Sequence, residues 1–114
     1  MSDITTEGMA IAPGVVETIV TLAVREVPGV ASVGAASAGI RALLSSKPST
    51  QGVVVTASED GTVAVEVAIN VLSGYSLNSL ADQVRSSVAD AALTQVGLTV
   101  SRVDIRVDGI HFQD

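Results

Sequence analysis

From Thr62 to Val71 the chain alternates with a period of two: Val63, Val65, Val67, Ile69 and Val71 are apolar and β-branched, while the positions between them are small or polar. This pattern predicts a half-buried strand. Successive side chains on a strand point to opposite faces, so these five share one face that another layer must cover. Val53–Ala57 is a second β-branched run, and Asp60-Gly61 between the two runs is a strong hairpin signal that makes them antiparallel neighbours. Gly29–Gly34 reads as a short strand. Leu98–Phe112 is the last strand region, with a phase shift between Val100 and Val103 of the kind a bulge near Ser101-Arg102 produces. Past that shift Val103, Ile105 and Val107 point one way, and Arg102, Asp104, Arg106 and Asp108 the other.

A period near 3.6 takes over in two segments. Pro13 suits the first turn of a helix running to about Val27, where Pro28-Gly29 stops it. At 100° per residue its predicted core face is Val15, Val16, Ile19, Val20, Leu22, Ala23 and Val27; Gly14, Glu17, Thr18, Thr21, Val24 and Arg25 fall opposite. Glu26 projects into the apolar arc, and the simpler reading has it reach water as the last turn frays. The second helix is predicted from an N-cap at Ser76 to about Val96, with Gly97 as its C-terminal cap. Leu77, Leu80, Ala81, Val84, Val88, Ala91 and Ala92 form its stripe.

The predicted order is α-β-β-β-α-β: an α+β two-layer sandwich with two helices on one face of a small antiparallel or mixed sheet. One domain is expected over residues 9–112, after a flexible tail at 1–8 and with a flexible loop at 35–52. The second sheet face, carrying Glu66, Asn70 and the charged row of the last strand, is expected to be wet or to meet another chain.

Composition narrows the function. The chain has 114 residues, enough for one domain with a real core. It has one Tyr and one Phe, which disfavours stacking sites for bases or sugars. A net charge of −6 disfavours nucleic acid and direct adsorption to anionic lipid. Without Cys, thiolate metal sites and Cys nucleophiles are excluded. The acidic, polar start lacks the basic n-region of a signal peptide, and no run approaches the roughly 18 apolar residues that span a bilayer. The expectation is a soluble cytoplasmic protein whose membrane association runs through a partner.

Little remains for catalysis. His111 has no second His, Cys or nucleophile elbow to work with, and reads as a surface or tail residue. Asp104 and Asp108 would share a strand face about 13 Å apart, beyond the roughly 5–9.5 Å of paired glycosidase carboxylates. Interleaved with Arg102 and Arg106 they look like a solvated charge ladder with cross-strand ion pairs. Such alternating signs are self-complementary when two strands meet antiparallel across a two-fold axis. Ile110 and Phe112 either cap the core, the favoured reading, or form an exposed partner site. Tyr75 is expected to pack at the entrance of the second helix with its hydroxyl in water.

Across residues 9–112 the sequence resembles the bacterial alkaline shock protein family, also called the general or envelope stress protein family. The resemblance rests on Ala23…Glu26-Val27-Pro28-Gly29-Val30, the Gly52-Val53-Val54-Val55 segment and the Val63–Val71 strand. It continues through Gly74-Tyr75, Val96-Gly97-Leu98 and Val103-Asp104-Ile105-Arg106-Val107…Gly109-Ile110. It implies a non-enzymatic cytoplasmic stress-response protein of cell-envelope homeostasis. Such a protein self-associates as a homo-oligomer and can be held at the membrane by a small anchor protein. No catalytic residue, metal or cofactor follows from it. The expected interaction surface is Glu66, Arg102, Asp104, Arg106 and Asp108, with Ile110 and Phe112 as apolar anchors. The alternatives are a small-molecule or lipid-binding regulator with a cavity under the 35–52 loop, and a nucleic-acid-binding module, which would need a GXXG clamp or basic, aromatic sheet residues.

Overall fold

The computed structural model describes residues 4–6, 8–34 and 52–112. The expected flexible loop at 35–52 lies, apart from Gly52, outside the described residues. In chain order the elements are β1 (Ile4–Thr6), β2 (Met9–Ile11), α1 (Pro13–Arg25), β3 (Val30–Val33), β4 (Val53–Ala57), β5 (Val63–Leu72), α2 (Leu77–Val96) and β6 (Val100–His111). From α1 onward this is the predicted α+β order. The N-terminus departs from the expected tail: β1 pairs antiparallel with β2, and Ile4 and Ile11 are buried with the core.

β5 is the centre of the sheet. β3 and β4 both lie antiparallel to it, β3 against its C-terminal part and β4 against Val63–Val67. They occupy the same edge of β5. The Leu72 N–H donates to the Gly29 carbonyl and the Ala68 N–H to the Gly52 carbonyl, both at 2.8 Å. In effect β3 and β4 form one row interrupted opposite Ala68, whose carbonyl accepts from the Gly34 N–H at 2.8 Å. At this neck a Cβ on Gly52 would lie 2.6 Å from the Gly34 Cα, and both glycines hold positive φ. On the other edge β6 runs parallel to β5 over its whole length, so the sheet is mixed.

Val63, Val65, Val67, Ile69 and Val71 are each at most 1% exposed, beneath both helices. Val16, Val20 and Val24 of α1 and Leu80, Val84, Val88 and Ala92 of α2 supply the cover. Burying a Val or Leu side chain contributes about 1.5–3 kcal/mol, so this valine face is the main source of stability. α2 starts where expected, with the Ser79 N–H on Ser76 Oγ, and ends on Gly97 in the left-handed region at φ 71°. α1 is rotated from its predicted phase. Val24 and Thr21 face inward, while Val15 and Leu22 are exposed, Leu22 at 55%. Glu17, Thr21 and Arg25 form a polar stripe at helical spacing, yet Thr21 turns inward, which it can do because its hydroxyl donates to the Glu17 carbonyl at 2.8 Å. Glu26 is exposed, in line with the simpler reading.

Candidate interaction surface

The open sheet face is built by the register of β5 and β6. Ala64 pairs Arg102, Glu66 pairs Asp104 and Ala68 pairs Arg106, so Glu66 and the charged side chains of β6 share one face. The predicted bulge is there: pairing steps from Val63/Val100 to Ala64/Arg102 and leaves Ser101 unpaired. A second bulge, marked in the sequence by the apolar phase shift from Val107 to Ile110 that the sequence reading does not use, leaves Asp108 between Val107 and Gly109. Between them β6 pairs without a break from Arg102 to Val107.

The ion pairs differ from expectation. They run along β6 rather than across strands: Arg102 Nε lies 2.9 Å from Asp104 Oδ2, and Arg106 Nε 2.7 Å from Asp108 Oδ1. The cross-strand neighbour of Glu66 is Asp104, another carboxylate. The Asp108 carboxylate, by hydrogen bond and charge, and more weakly Glu66 hold the Arg106 pKa above its ordinary value, so the row keeps its cation throughout the working pH range. Both arginines are largely exposed, so solvent screens the pairs and they add little to stability. Little of the fold depends on these charges.

Ile110 and Phe112 do not cap the core. Ile110 is the register partner of Val71, so the second bulge turns it to the helix side of the sheet, and it stays exposed. Phe112 lies past the strand end at 83% exposure. The structure therefore gathers Glu66, Arg102, Asp104, Arg106 and Asp108 on one face and leaves the two apolar residues at its end. Val54, opposite Glu66 on β4, adds an exposed apolar side chain to that face, which the sequence reading does not include. The signal for it is its even place in a β-branched run, which sets it on the same face as Glu66.

Asn70, expected to be wet, is 5% exposed. Its Nδ2 donates to Ser32 Oγ and to the Gly34 carbonyl, each at 2.9 Å, which fastens the end of β3 to β5. Its Oδ1 sits 2.8 Å from where a Cβ on Gly109 would stand. His111 is exposed, and its carbonyl accepts from the Ser73 N–H at 2.8 Å. Among the described residues no group of three or more His, Asp or Glu is placed to hold a metal ion, and no helix is long and apolar enough to cross a membrane. An open groove of about 520 Å³ lies between α1 and α2, floored by Ile19, Leu22 and Ala91 and rimmed by Glu26 and Asp90.

A family model of the alkaline shock protein 23 family, described as having a cell envelope-related function, matches residues 2–112. The chain belongs to this family. It is 30% identical over 103 residues to YqhY of Bacillus subtilis (strain 168), described as an uncharacterized protein, covering 90% of this chain and 76% of that one. Among solved structures, two MamM CTD variants are similar at 12% identity, covering 89% of this chain and 95% of theirs, with TM-scores of 0.48 and 0.49. In this alkaline shock protein family member, most residues that carry the resemblance are joints of the fold. Gly29, at φ 100°, leaves room for the Tyr75 ring, which a Cβ there would meet at 2.8 Å. Gly97 caps α2 and Gly52 forms the neck. The Val103–Val107 segment belongs instead to the exposed strand.

Proposed function

We propose that this protein acts without catalysis, as a cytoplasmic scaffold of cell-envelope homeostasis and stress response. It self-associates and docks onto a membrane-anchored partner through the mixed-charge face of β5 and β6. Membership of a family with a cell envelope-related function supports the setting. The observation that carries the reading is the concentration of Glu66, Arg102, Asp104, Arg106 and Asp108 on one open sheet face that the fold barely needs. Val54 gives that face an exposed apolar side chain, and Ile110 and Phe112 lie exposed where β6 ends.

The test is the double substitution Arg102→Glu, Arg106→Glu. The expected outcome is a lower sedimentation mass and loss of a basic, membrane-anchored protein from pull-downs out of the native cell, with an unchanged circular dichroism spectrum. If mass and pull-down both match the unsubstituted protein, the face is not the interaction surface.

A further inference from the structure

β6 is an edge strand, and its outer backbone is available. Ala68 and Leu72 turn their backbone groups toward β4 and β3, so by alternation the odd residues of β5 turn theirs toward β6. The Val63 N–H, which donates to the Thr99 carbonyl at 3.0 Å, follows this rule. In a parallel pair at the register Val65/Val103, the residues flanking Val103 bond to β5, and Val103 itself points outward. Ile105 and Val107 follow it. The Val103 carbonyl bears this out: it is met by Arg85 Nε of α2 at 3.4 Å, a long and exposed contact. No other strand lies on this edge among the described residues.

Charges on an edge strand ordinarily deter pairing with another chain. Here their order does the reverse. The charges of the segment Arg102-Val103-Asp104-Ile105-Arg106-Val107-Asp108 are antisymmetric about Ile105: reversing the segment inverts every sign. Turned antiparallel on itself about that residue, it sets Arg102 opposite Asp108, Val103 opposite Val107 and Asp104 opposite Arg106. Every charge meets its opposite. The outward residues Val103, Ile105 and Val107 then face their counterparts with their backbone N–H and C=O groups, of which the Val103 carbonyl is met by Arg85, in the arrangement an antiparallel ladder requires. The unbroken stretch between the two bulges, Arg102 to Val107, contains Ile105 and all of the segment but Asp108.

We infer that a second copy of this chain pairs along β6, strand to strand, about a two-fold axis at Ile105, joining the two sheets into one. This deepens the reading of the charged face as a self-association surface and rests on it, adding the partner, the edge and the register. Arg85 gives up or shares the Val103 carbonyl on pairing.

Two single substitutions and their mixture test it. Asp104→Arg sets the introduced arginine against Arg106 of the other copy, and Arg106→Asp sets the introduced aspartate against Asp104 of the other copy. Like charges directly opposite are destabilising, so each variant alone is expected to weaken the dimer by roughly tenfold or more and to sediment at half the mass. Mixed in equal amounts, the two variants restore an opposite charge at every position, and the full mass returns as a heterodimer. Thermal unfolding of each variant checks that the fold is intact. Single variants that keep the mass of the unsubstituted protein overturn the edge assignment, and so does an unsubstituted protein that sediments as a monomer. Monomeric variants that fail to recover mass on mixing overturn the register, while the broader reading stands or falls by the Arg102→Glu, Arg106→Glu test.

Discussion

β5 has antiparallel chain on one edge and parallel chain on the other, and the two edges are closed off differently. The β3/β4 edge is broken at a neck where two glycines nearly touch, and Asn70 fastens the break from the open face. The β6 edge is continuous, carries its charges in exposed intrastrand pairs and offers its outer backbone to solvent. Close packing and buried polar contacts concentrate on the first edge; exposed charge concentrates on the second. Substitutions at the two edges should therefore read out in different assays, the first as stability and the second as assembly.

The largest effect is expected at the neck. Gly52→Ala places a Cβ 2.6 Å from the Gly34 Cα on a backbone at φ 96°. Backbone on both sides leaves no flexible side chain to yield, and a loss of about 4 kcal/mol or more follows. Urea unfolding should show a collapsed midpoint; an unchanged midpoint would mean that the neck opens freely.

Proline sharpens the contrast within β6. Asp104 directs its N–H toward β5, so Asp104→Pro removes a ladder bond and should cost about 3 kcal/mol. Val107 directs its N–H outward, so Val107→Pro should cost about 1 kcal/mol or less in the monomer while abolishing assembly. Equal losses of thermal stability from the two would refute the assignment of inward and outward residues.

How far the sequence discloses these edges depends on what each feature leaves in the pattern. The valine face of β5, the Asp60-Gly61 hairpin, α2 with both caps and the bulge at Ser101 all leave a period or a turn residue behind, and all are legible. The phase of α1 is not, because the projection sets Val15 and Leu22 on the apolar arc and Val24 and Thr21 opposite, while packing against the sheet and α2 turns Val24 and Thr21 inward. The bulge at Asp108 is harder to read: the apolar phase does shift from Val107 to Ile110 and Phe112, but Gly109 blurs the pattern there, and the pairing of Asn70 with Gly109 fixes the extra residue. The burial of Asn70 escapes for a related reason: an even-numbered polar residue reads as wet until Ser32 and Gly34 are seen to meet it. The charged residues of the face are legible as a set. Their pairing along the strand is not, since residues two apart on a strand are as close as cross-strand diagonals, and the choice falls to side-chain geometry.

The smallest effect belongs to the β4/β5 turn. The Asp60 carboxylate accepts from the Thr62 hydroxyl at 2.7 Å and the Thr62 N–H at 3.1 Å, which lowers its pKa below the ordinary value. A depressed carboxylate contributes stability that is present above its unfolded pKa and lost as pH falls through the folded one, here below about pH 4. Asp60→Asn should slightly flatten the acid limb of a stability–pH curve and leave assembly alone. An unaltered acid limb would show that the turn holds without the charge.

The neck at Gly34 and Gly52 has a consequence for how the chain can be divided. Gly34 and Gly52 are each hydrogen-bonded to Ala68 of β5, which aligns the chain on both sides of the neck. Lengthening the connection between Gly34 and Gly52 should therefore cost little, because β5 supplies the alignment. Severing it should yield two complementary fragments, one carrying α1 and β3 and the other β4, β5, α2 and β6, that reassemble on the template of a single central strand.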